Sequence, residues 1–536
     1  MGSQATASGD QEQVPNPFNY SRIMQGLVES FGDREAIVNI ERNRRLTFRD
    51  YHELTNRFAH VLHGPLGLGA GDRYVCFLDN DNLSLFHWAT AAKALPTCCH
   101  GNFRDSLDTH LSQIETVKPK AALIENSLIE SHAGPLAELG IQVVCMDPQE
   151  NAREGVLEMP ALLDAASSDN PDIEIDRHSH IILMRFTGGT TGDSKCARYT
   201  ADNILACSES YQVLPGSDFS EETRTLHIAP ISHGSGMLVQ PTMLLGGCTV
   251  TMNEPSLELW CQYVEQERIT HAFVVPTLAY RLLEMPEAEK FDLSTLKTVF
   301  YGAAPMSPSK AKQLVARFGP VFIQAYGSTE HLAVALYLGK EKHEGDDKRL
   351  ASAGRRNNGI ELTICDDDGN PVPRGEVGEF YIRSRGTCQG YEGNPEKTAE
   401  EFIDGYWKSG DVGYVDEAGY CYLVDRKKDM IITGGFNVYA TEVEAAINSY
   451  PGVTMSAVVG IPHEDWGEAI HAEVLLNGQE EVEEQALVAH VKEQIGSVKA
   501  PKTVAFVDEL PTSVVGKVIR KDVRAKYWKS RDRQIA

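Results

Sequence analysis

Short apolar runs alternate with amphipathic stretches along much of this chain, and that order constrains the fold more than any other feature. Apolar runs at 225–229, at 248–252 and at His271–Val275 are each followed by a helix-like pattern. Strands that alternate with helices predict mostly parallel sheets with helices on their faces. Ligands of such sheets bind in crevices beyond the carboxyl ends of the strands. We therefore expect an α/β fold whose functional site lies where strands end.

The same pattern predicts individual elements. A strand at Arg73–Leu78 is followed by a helical pattern from Ser84 to Leu95. Further on, the predicted helices are 236–245, Leu257–Glu267, Leu278–Leu283 and Pro308–Phe318, and the predicted strands include Thr298–Tyr301 and Val321–Ala325. Pro308 suits the first turn of its helix, because a missing N–H costs nothing there.

The pattern of strand-like and helical segments changes after about residue 352. A turn signal, Asp366–Asn370, separates two strand-like runs, Glu361–Cys365 and Gly378–Ile382. These runs predict a β-rich subdomain over about 352–425. A compact strand–strand–helix pattern follows over about 430–536, after the charged run Asp425–Asp429. We therefore predict a polar tail over 1–16, a large N-terminal domain over 17–425 and a small α+β domain over 430–536.

Length, charge and cysteine content exclude several classes of protein. A chain of 536 residues should divide into more than one domain, since single cores stop growing near roughly 250–300 residues. The net charge of -26 argues against a protein that binds duplex nucleic acid, whose affinity rests on Lys and Arg. No apolar run reaches the roughly 20 residues of an integral membrane segment. Eleven cysteines without a CxxC motif or a secretory signal predict reduced thiols in a cytoplasmic protein.

A loop rich in glycine and threonine, Phe186–Lys195, follows the apolar run Ile181–Met184. Glycines allow a close approach of the backbone, whose free N–H groups can converge on phosphate oxygens. Threonine hydroxyls add donors, and Lys195 adds a point charge. The loop is not a Walker loop, because Ser194 stands where that pattern requires its last glycine. Considered alone, the loop is compatible with phosphate binding or with a simple connection between two secondary-structure elements.

Three more clusters follow predicted strands or turns. Tyr301–Pro305 offers small residues that leave a flat slot for a planar ring. Gln324–Glu330 supplies an aromatic face, a hydroxyl and a carboxylate, and Tyr406–Asp411 places a carboxylate in a turn. Each cluster alone is more often structural than functional, but their order after successive strands predicts one shared site.

Several motifs in this order resemble those of the adenylate-forming superfamily, which comprises acyl-CoA synthetases, adenylation domains and luciferases. The resemblance runs from about Thr47 to Arg524. Besides the glycine- and threonine-rich loop, it rests on an opening segment, an acid-pocket motif, a hinge segment and a C-terminal lysine motif. These are Thr47–Leu54, Ala229–Gly236, Asp425–Glu444 and Pro511–Arg520.

The resemblance implies an ATP-dependent, AMP-forming carboxylic acid:CoA ligase that uses ATP, Mg²⁺ and coenzyme A. A carboxylate would attack the α-phosphorus of ATP, and a thiol would then displace AMP from the acyl-adenylate. The resemblance also implies that the small C-terminal domain is mobile and turns about a hinge at 426–429.

The resemblance assigns roles to individual residues. Lys517 would bridge the carboxylate and the α-phosphate, and His233 would close over the acid pocket. Thr191 and Glu330 would hold Mg²⁺. The phosphate loop would comprise Thr187, Gly188, Gly189, Thr190, Thr191, Gly192 and Lys195. The remaining nucleotide and CoA contacts would come from Gly302, Ala303, Ala304, Tyr326, Gly327, Thr329, Asp411, Arg426, Lys428, Gly434 and Gly435. Among these, Tyr326 would stack on adenine, Asp411 would accept from the ribose hydroxyls, and Lys428 would lie at the hinge.

The identity of the acid is less constrained. Amino-acid-activating relatives place an Asp where this chain has Gly234, so an amino acid is disfavoured. The expected lining of the acid pocket, His233–Val239, Tyr301–Ala304 and His331–Ala335, is small and apolar apart from its histidines, which suits an aryl or aliphatic acid. Two alternatives stay open: a stand-alone adenylation protein that loads a carrier-protein thiol, and a non-catalytic ATP-binding homologue. A homodimer is possible.

Overall fold

A computed structural model describes residues 14–87, 91–148, 153–187, 194–426, 429–478, 480–513 and 517–528. It confirms the predicted α/β class: helices flank two large sheets in the N-terminal part, and a smaller sheet with its own helices forms the C-terminal part. A short two-stranded pair, Pro17–Phe18 with Ile175–Asp176, lies outside these sheets.

The first large sheet has seven strands in the described residues and is parallel except at one edge. In order across the sheet the strands are Cys196–Thr200, Ile181–Phe186, Thr97–Asn102, Arg73–Leu78, Ala121–Ile124, Gln142–Cys145 and Val156–Glu158. The strand that precedes the glycine- and threonine-rich loop therefore lies next to the antiparallel edge strand.

The second large sheet is mixed. Its parallel half comprises Phe322–Tyr326, Thr298–Gly302, His271–Val274, Arg224–His227, Cys248–Thr251 and Glu35–Asn39, with Arg44–Thr47 antiparallel at the edge. Its antiparallel half comprises Leu336–Leu338, Gly354–Arg356, Tyr420–Arg426, Tyr406–Val415, Gly378–Arg383 and Glu361–Cys365, and Phe402–Ile403 pairs with Tyr406–Val415. The predicted β-rich stretch thus continues the same sheet, and Asp411 and Tyr326 come to lie on it together.

The C-terminal sheet is built from the predicted strands and three shorter ones. Its strands are Phe436–Val438, Ile431–Thr433, Gly467–Leu476, Val453–His463 and Thr503–Val507. It begins only a few residues after Arg426, the last residue of a strand of the large sheet.

Helices cover these sheets. The α-helices whose bounds lie within the described residues are Tyr20–Phe31, Phe48–His63, Asn80–Phe86, Leu107–Val117, Ile129–Glu138, Met159–Ala165, Ala201–Gln212, Val239–Met243, Leu257–Gln266, Pro276–Glu284, Pro308–Phe318, Asp347–Leu350, Pro395–Glu401, Ala440–Asn448, Glu484–Ile495 and Arg520–Tyr527. Short 3₁₀ helices are Asn126–Leu128, Gly234–Leu238, Pro286–Lys290 and Lys340–Lys342.

Local sequence explains where several helices begin. Thr47 and Asp50 form a capping box, in which the Asp50 N–H donates to Thr47 Oγ1 at 3.2 Å and the Thr47 N–H donates to Asp50 Oδ2 at 2.9 Å. Pro308 begins its helix as expected. The largest apolar cluster contains Cys76 and Ile182 of the first sheet and Phe300 and Ile323 of the second, so one core joins both sheets.

Two predicted helices were wrong in extent. The helix placed at Ser84–Leu95 begins at Asn80, because Asp79 accepts the Asn82 N–H at 3.0 Å as an N-cap, and this helix ends at Phe86. Residues 88–90 of the predicted helix lie outside the described residues. The helix placed at 236–245 is a 3₁₀ turn from Gly234 followed by a single α-helical turn that ends at Met243.

All eleven cysteines lie in the described ranges, are buried and form no disulfide. No helix within the described ranges is long and apolar enough to cross a membrane.

Candidate active site

The site begins where two parallel strands of the second sheet end. Thr298–Gly302 and Phe322–Tyr326 are neighbours, and Gly302 pairs with Ala325. A Cβ on Gly302 would lie 2.2 Å from the Ala325 carbonyl oxygen, so only glycine fits there. The next residue, Ala303, has a positive φ of 66°, which is uncommon for a residue with a side chain. Backbone strain of this kind is concentrated at functional sites.

Three of the predicted nucleotide residues contact one another beside these strand ends. Asp411 and Arg426 are paired on neighbouring antiparallel strands, and Arg426 Nε donates to Asp411 Oδ1 at 3.1 Å. The Tyr326 hydroxyl donates to the other carboxylate oxygen at 2.5 Å. Burial, followed by the Asp411 charge, raises the pKa of Tyr326 well above its usual value. The Asp411 charge also raises the pKa of Arg426, so an ion pair persists at the centre of the site.

A second cluster surrounds Glu330. Its carboxylate is buried and accepts a hydrogen bond from the Tyr391 hydroxyl at 2.9 Å, with Lys195 Nζ 3.6 Å away. Lys195 donates to the Tyr391 hydroxyl at 3.0 Å and to both oxygens of Glu401, at 2.9 and 2.8 Å. The Tyr391 hydroxyl also bonds Glu401. The predicted metal ligand and the predicted phosphate lysine therefore belong to one network.

The base of the phosphate loop is closed by hydrogen bonds. Thr187 N–H donates to the Lys195 carbonyl at 2.8 Å, the Lys195 N–H donates to Thr187 Oγ1 at 3.2 Å, and Ser194 Oγ donates to the Thr187 carbonyl at 2.6 Å. Six predicted site residues lie outside the described residues. They are Gly188, Gly189, Thr190, Thr191, Gly192 and Lys428.

The segment that follows Tyr326 is closely packed. A Cβ on Gly327 would approach the Ala333 carbonyl oxygen to 3.1 Å. The Thr329 carbonyl accepts from the Tyr199 hydroxyl at 2.5 Å, which anchors the turn on the strand Cys196–Thr200. Thr329 and Glu330 are thereby held between the two large sheets.

Lys517 lies close to the nucleotide cluster, although it belongs to the C-terminal part. Burial, and then the positive charge of Arg426, lowers the pKa of Lys517 to about 8, and Asp411 opposes this effect. Its backbone is held by a turn, since the Lys517 N–H donates to Ser513 Oγ at 3.2 Å. The charges of Asp411 and Arg426 therefore both act on the Lys517 ammonium group.

Gly434 and Gly435 are not part of that cluster. Both have positive φ angles, 56° and 82°, at the tip of the hairpin between Ile431–Thr433 and Phe436–Val438. They are exposed, and the Gly434 N–H donates to the Trp466 carbonyl at 3.0 Å within the C-terminal domain.

A narrow cavity lies beside His233, and the space in it that is open to the centre of a water molecule is about 20 Å³. Ile231, Gly236, Met237, Val239 and Leu332 line it, so two of the three segments expected around the acid contribute. The third segment expected to line the acid pocket was Tyr301–Ala304. This expectation was wrong for the Tyr301 side chain, whose hydroxyl lies in a different core and hydrogen-bonds Gln324 at 3.1 Å and His343 at 2.8 Å. His233 Nδ1 shares a hydrogen bond with Ser232 Oγ over 2.9 Å. Burial lowers the pKa of His233 to about 3, so its ring is neutral at pH 7.

Sequence reasoning missed several residues of the site. Tyr391 and Glu401 complete the network around Glu330, and Arg185 and His100 line the cavity. Gly390 and Gly393, which flank Tyr391 with positive φ, marked a tight turn that could have drawn attention to the tyrosine. Arg185 carried a signal too, since a charged residue interrupts an otherwise apolar strand.

The residues present fit a hard divalent cation. Glu330 supplies a buried carboxylate beside Lys195, and its Oε2 makes no hydrogen bond or ion pair in the described ranges. Within the same ranges, no cluster of three or more His, Cys, Asp or Glu is placed to hold a metal. Mg²⁺ typically takes one or two carboxylates together with substrate phosphates, which agrees with that arrangement.

Comparison with known proteins gives consistent matches. The family model for AMP-binding enzymes matches residues 25–392, and the model for their C-terminal domain matches residues 442–517. The medium/long-chain-fatty-acid–CoA ligase FadD8 of Mycobacterium tuberculosis is 39% identical over 362 residues, which span 66% of this chain and 63% of that protein. A feruloyl-CoA synthase of Amycolatopsis is 36% identical over 401 residues, 73% of this chain and 80% of that protein.

Solved structures share the fold. The structure of ATP-bound MatB from Rhodopseudomonas palustris superposes with a TM-score of 0.84 and 27% sequence identity. The match covers 95% of this chain and 99% of that one.

Proposed function

Because the chain belongs to the family of AMP-binding enzymes, we propose that it is an ATP-dependent, AMP-forming ligase that joins a carboxylic acid to the thiol of coenzyme A. One observation carries the proposal: the half-buried Lys517 of the C-terminal part interacts electrostatically with Asp411 and Arg426 of the N-terminal part. A lysine beside a nucleotide carboxylate is placed to neutralise charge that develops at phosphorus.

In the first half-reaction, a carboxylate oxygen of the acid forms a bond to the α-phosphorus of ATP, and the bond to pyrophosphate breaks. Asp411 accepts from the ribose hydroxyls, and Tyr326 packs against adenine beside the flat edge at Gly302–Ala304. Thr187 and Lys195, at the base of the phosphate loop, hold the outer phosphates, and Thr329 contacts the α-phosphate. In-line transfer of this kind depends mainly on positioning and charge stabilisation.

Glu330, with Thr191 of the loop, is proposed to hold Mg²⁺, which would neutralise charge on the phosphates. Tyr391 orients the Glu330 carboxylate through its hydroxyl. Glu401 in turn holds Lys195 beside the same tyrosine, so the carboxylate and the ammonium group keep a fixed spacing.

In the second half-reaction, the thiol sulfur forms a bond to the acyl carbon, the acyl–phosphate C–O bond breaks, and AMP leaves while the thiol proton passes to solvent. We propose that the C-terminal domain first turns about the 426–429 hinge, which includes Lys428. This turn withdraws Lys517 and brings the exposed Gly434–Gly435 hairpin to the site, where His233 makes room for the thiol. Support for this step comes from the exposed hairpin and from the few residues that join Arg426 to the C-terminal sheet.

The test is pyrophosphate release with ATP, Mg²⁺ and a panel of aliphatic, benzoate-type and cinnamate-type acids, each with and without coenzyme A. Lys517→Ala should lower acid-dependent release by 100-fold or more, because it removes the charge at phosphorus. Lys521→Ala, which changes an exposed lysine of the adjoining helix, is the matched control and should leave release unchanged.

The outcomes separate the alternatives. Multiple turnovers of AMP only when coenzyme A is present support the ligase. Release that stops after one turnover whether or not coenzyme A is added points instead to a carrier-protein thiol as acceptor. ATP binding without release for any acid contradicts an enzyme and favours a binding homologue. A homodimer and a cytoplasmic location stay predictions.

A further inference from the structure

The cavity beside His233 contains a buried arginine that the proposed reaction does not use. Arg185 lies on the strand Ile181–Phe186, two residues before the phosphate loop, and only 6% of it is exposed. Its Nε and Nη2 both donate to the Ser232 carbonyl, the former at 2.8 Å, and Nη1 lies 3.8 Å from Met237 Sδ. Among the described residues, no hydrogen bond or ion pair joins Arg185 to the cluster around Asp411 or to the network around Glu330.

The Arg185 guanidinium is incompletely satisfied. It has five N–H donors, and the three contacts use at most three of them, one on a weak sulfur acceptor. Within the described residues it forms no ion pair with a carboxylate. A buried cation without an acidic partner is costly, and here burial lowers the pKa of Arg185 below its usual value.

Two further polar groups in the cavity wall lack partners. His100 is the Cα partner of Arg185 on the neighbouring parallel strand, so both side chains leave the same face of the sheet. His100 Nε2 and Ser208 Oγ are buried atoms without a hydrogen-bond partner in the described structure, and these residues are 5% and 1% exposed. A buried polar atom without a partner is destabilising, and an oxygen of the ligand would supply the missing hydrogen bond.

The rest of the described lining is mostly apolar, apart from His87 and Gln240. Leu183, Ile231, Met237 and Leu332 contribute hydrocarbon and thioether surface, and the lining contains no carboxylate from the part of the chain that the structure describes. The polar end is therefore rich in hydrogen-bond donors and positively charged. A methyl-terminated chain would leave the guanidinium unsatisfied, whereas an oxygen acceptor would pair with it.

We propose that the acid carries a second oxygen function, a phenolic hydroxyl or a second carboxylate, away from the carboxylate that reacts, and that Arg185, with His100 and Ser208, binds it. This inference rests on the proposed ligase function and names the class of its substrate. Arg185 is then a specificity-determining residue, since it contacts the acid and not the reacting phosphate.

The test compares acids that differ only in this oxygen function. One pair is para-hydroxycinnamate and cinnamate, and the other is adipate and hexanoate, so the two arms separate phenol from carboxylate. The readout is kcat/KM for acid-dependent pyrophosphate release. We expect the oxygen-bearing member of one pair to be preferred by about 100-fold, because a site built around a polar group rejects the analogue that lacks it.

Variants then locate the preference. Arg185→Met should reduce it to less than about fivefold, with the KM for ATP unchanged, and Ser208→Ala should reduce it by a smaller factor. Arg198→Met, on the adjoining strand Cys196–Thr200, is the matched control and should keep the full preference. Thermal melting and ATP binding establish that each variant is folded. If Arg185→Met does not fold, the Ser208→Ala result decides alone.

The results distinguish the inference from the function on which it rests. Release that is equal within both pairs, or a preference that survives Arg185→Met, overturns the inference and leaves the ligase in place. Absence of release with every acid overturns the proposed ligase itself.

Discussion

At the scale of single residues, the titration of Lys517 determines how the proposed first half-reaction depends on pH. Its pKa is lowered to about 8, chiefly by burial and then by Arg426. The lysine must be protonated to neutralise phosphate charge, and it is protonated below that pKa. Since kcat/KM reports the free enzyme, we expect kcat/KM for ATP to fall about tenfold per pH unit above pH 8.

The matched variant for this prediction is Lys517→Arg, because a guanidinium stays charged throughout the accessible range. Its plateau should be lower, since the fork of an arginine is shaped differently, but its alkaline limb should move beyond pH 10. Pyrophosphate release at limiting ATP, measured from pH 6 to 10, checks both profiles. An alkaline limb that stays near pH 8 in Lys517→Arg would assign that limb to a different group.

A second prediction at this scale concerns the hydroxyl of Tyr326. Tyr326→Phe keeps the aromatic face but removes the hydrogen bond to Asp411, which orients the carboxylate expected to accept from ribose. Hydrogen bonds to charged groups contribute about 1.5–3 kcal/mol, so ATP should bind about tenfold more weakly. Calorimetric titration with ATP measures the change. Tyr414→Phe, on the strand Tyr406–Val415 that carries Asp411, is the control and should bind ATP normally.

At the scale of elements, Gly302 determines how closely two strands approach. In Gly302→Ala the new Cβ would lie 2.2 Å from the Ala325 carbonyl oxygen, and a backbone atom cannot move aside without separating the strands. We expect a loss of about 1–3 kcal/mol in the free energy of unfolding, together with weaker ATP binding at the distorted strand ends.

The control for Gly302 is another glycine of the same chain. Gly26 lies inside the helix Tyr20–Phe31, and a Cβ there meets nothing within 4 Å. Gly26→Ala should therefore raise the free energy of unfolding by up to about 1 kcal/mol. Chemical denaturation of both variants tests the contrast, and equal effects would show that close strand packing is not the cause.

The elements also show what sequence could predict. Arg73–Leu78 and Pro308–Phe318 were predicted with their observed bounds, because a continuous apolar run and a first-turn proline are local signals. The helix from Asn80 was mispredicted, since its Asp/Asn-rich start resembles a loop and is defined by the Asp79 cap. Tyr326, Asp411 and Glu330 could be assigned to the site from the sequence, because each lies in a short motif. Their partners Tyr391 and Glu401 depend on pairing between distant segments, which no local pattern encodes.

At the scale of the whole molecule, contacts between the two domains hold Lys517 at the site. Arg520, three residues after Lys517, donates across the domains to Asp425 Oδ1 at 3.3 Å, close to the proposed hinge, and within its own domain to Glu444 Oε1 at 2.8 Å. Farther away, Thr454 Oγ1 donates to both oxygens of Glu284, at 3.1 and 3.2 Å. Glu284 ends a helix of the N-terminal domain, so this contact must break if the domains turn.

Thr454→Val should therefore weaken the present arrangement of the domains without changing any group at the site. Valine matches threonine in shape but cannot donate, and Glu284 keeps its contact with Lys310 at 3.4 Å. Since the lost bond stabilises only the arrangement that contains Lys517 at the site, adenylation should slow by about three- to tenfold. Discharge of the preformed adenylate by coenzyme A should be unchanged or faster.

The two half-reactions can be followed separately, by pyrophosphate release in a single turnover and by AMP release after mixing isolated enzyme-bound adenylate with coenzyme A. Thr454→Ser retains the donor and should behave as the wild type in both. A slower first step with an intact second step is expected only if two domain arrangements alternate, because a general loss of stability would slow both. Equal slowing of the two steps would thus contradict the alternation, while leaving the assignment of Lys517, Asp411 and Arg426 to the first step untouched.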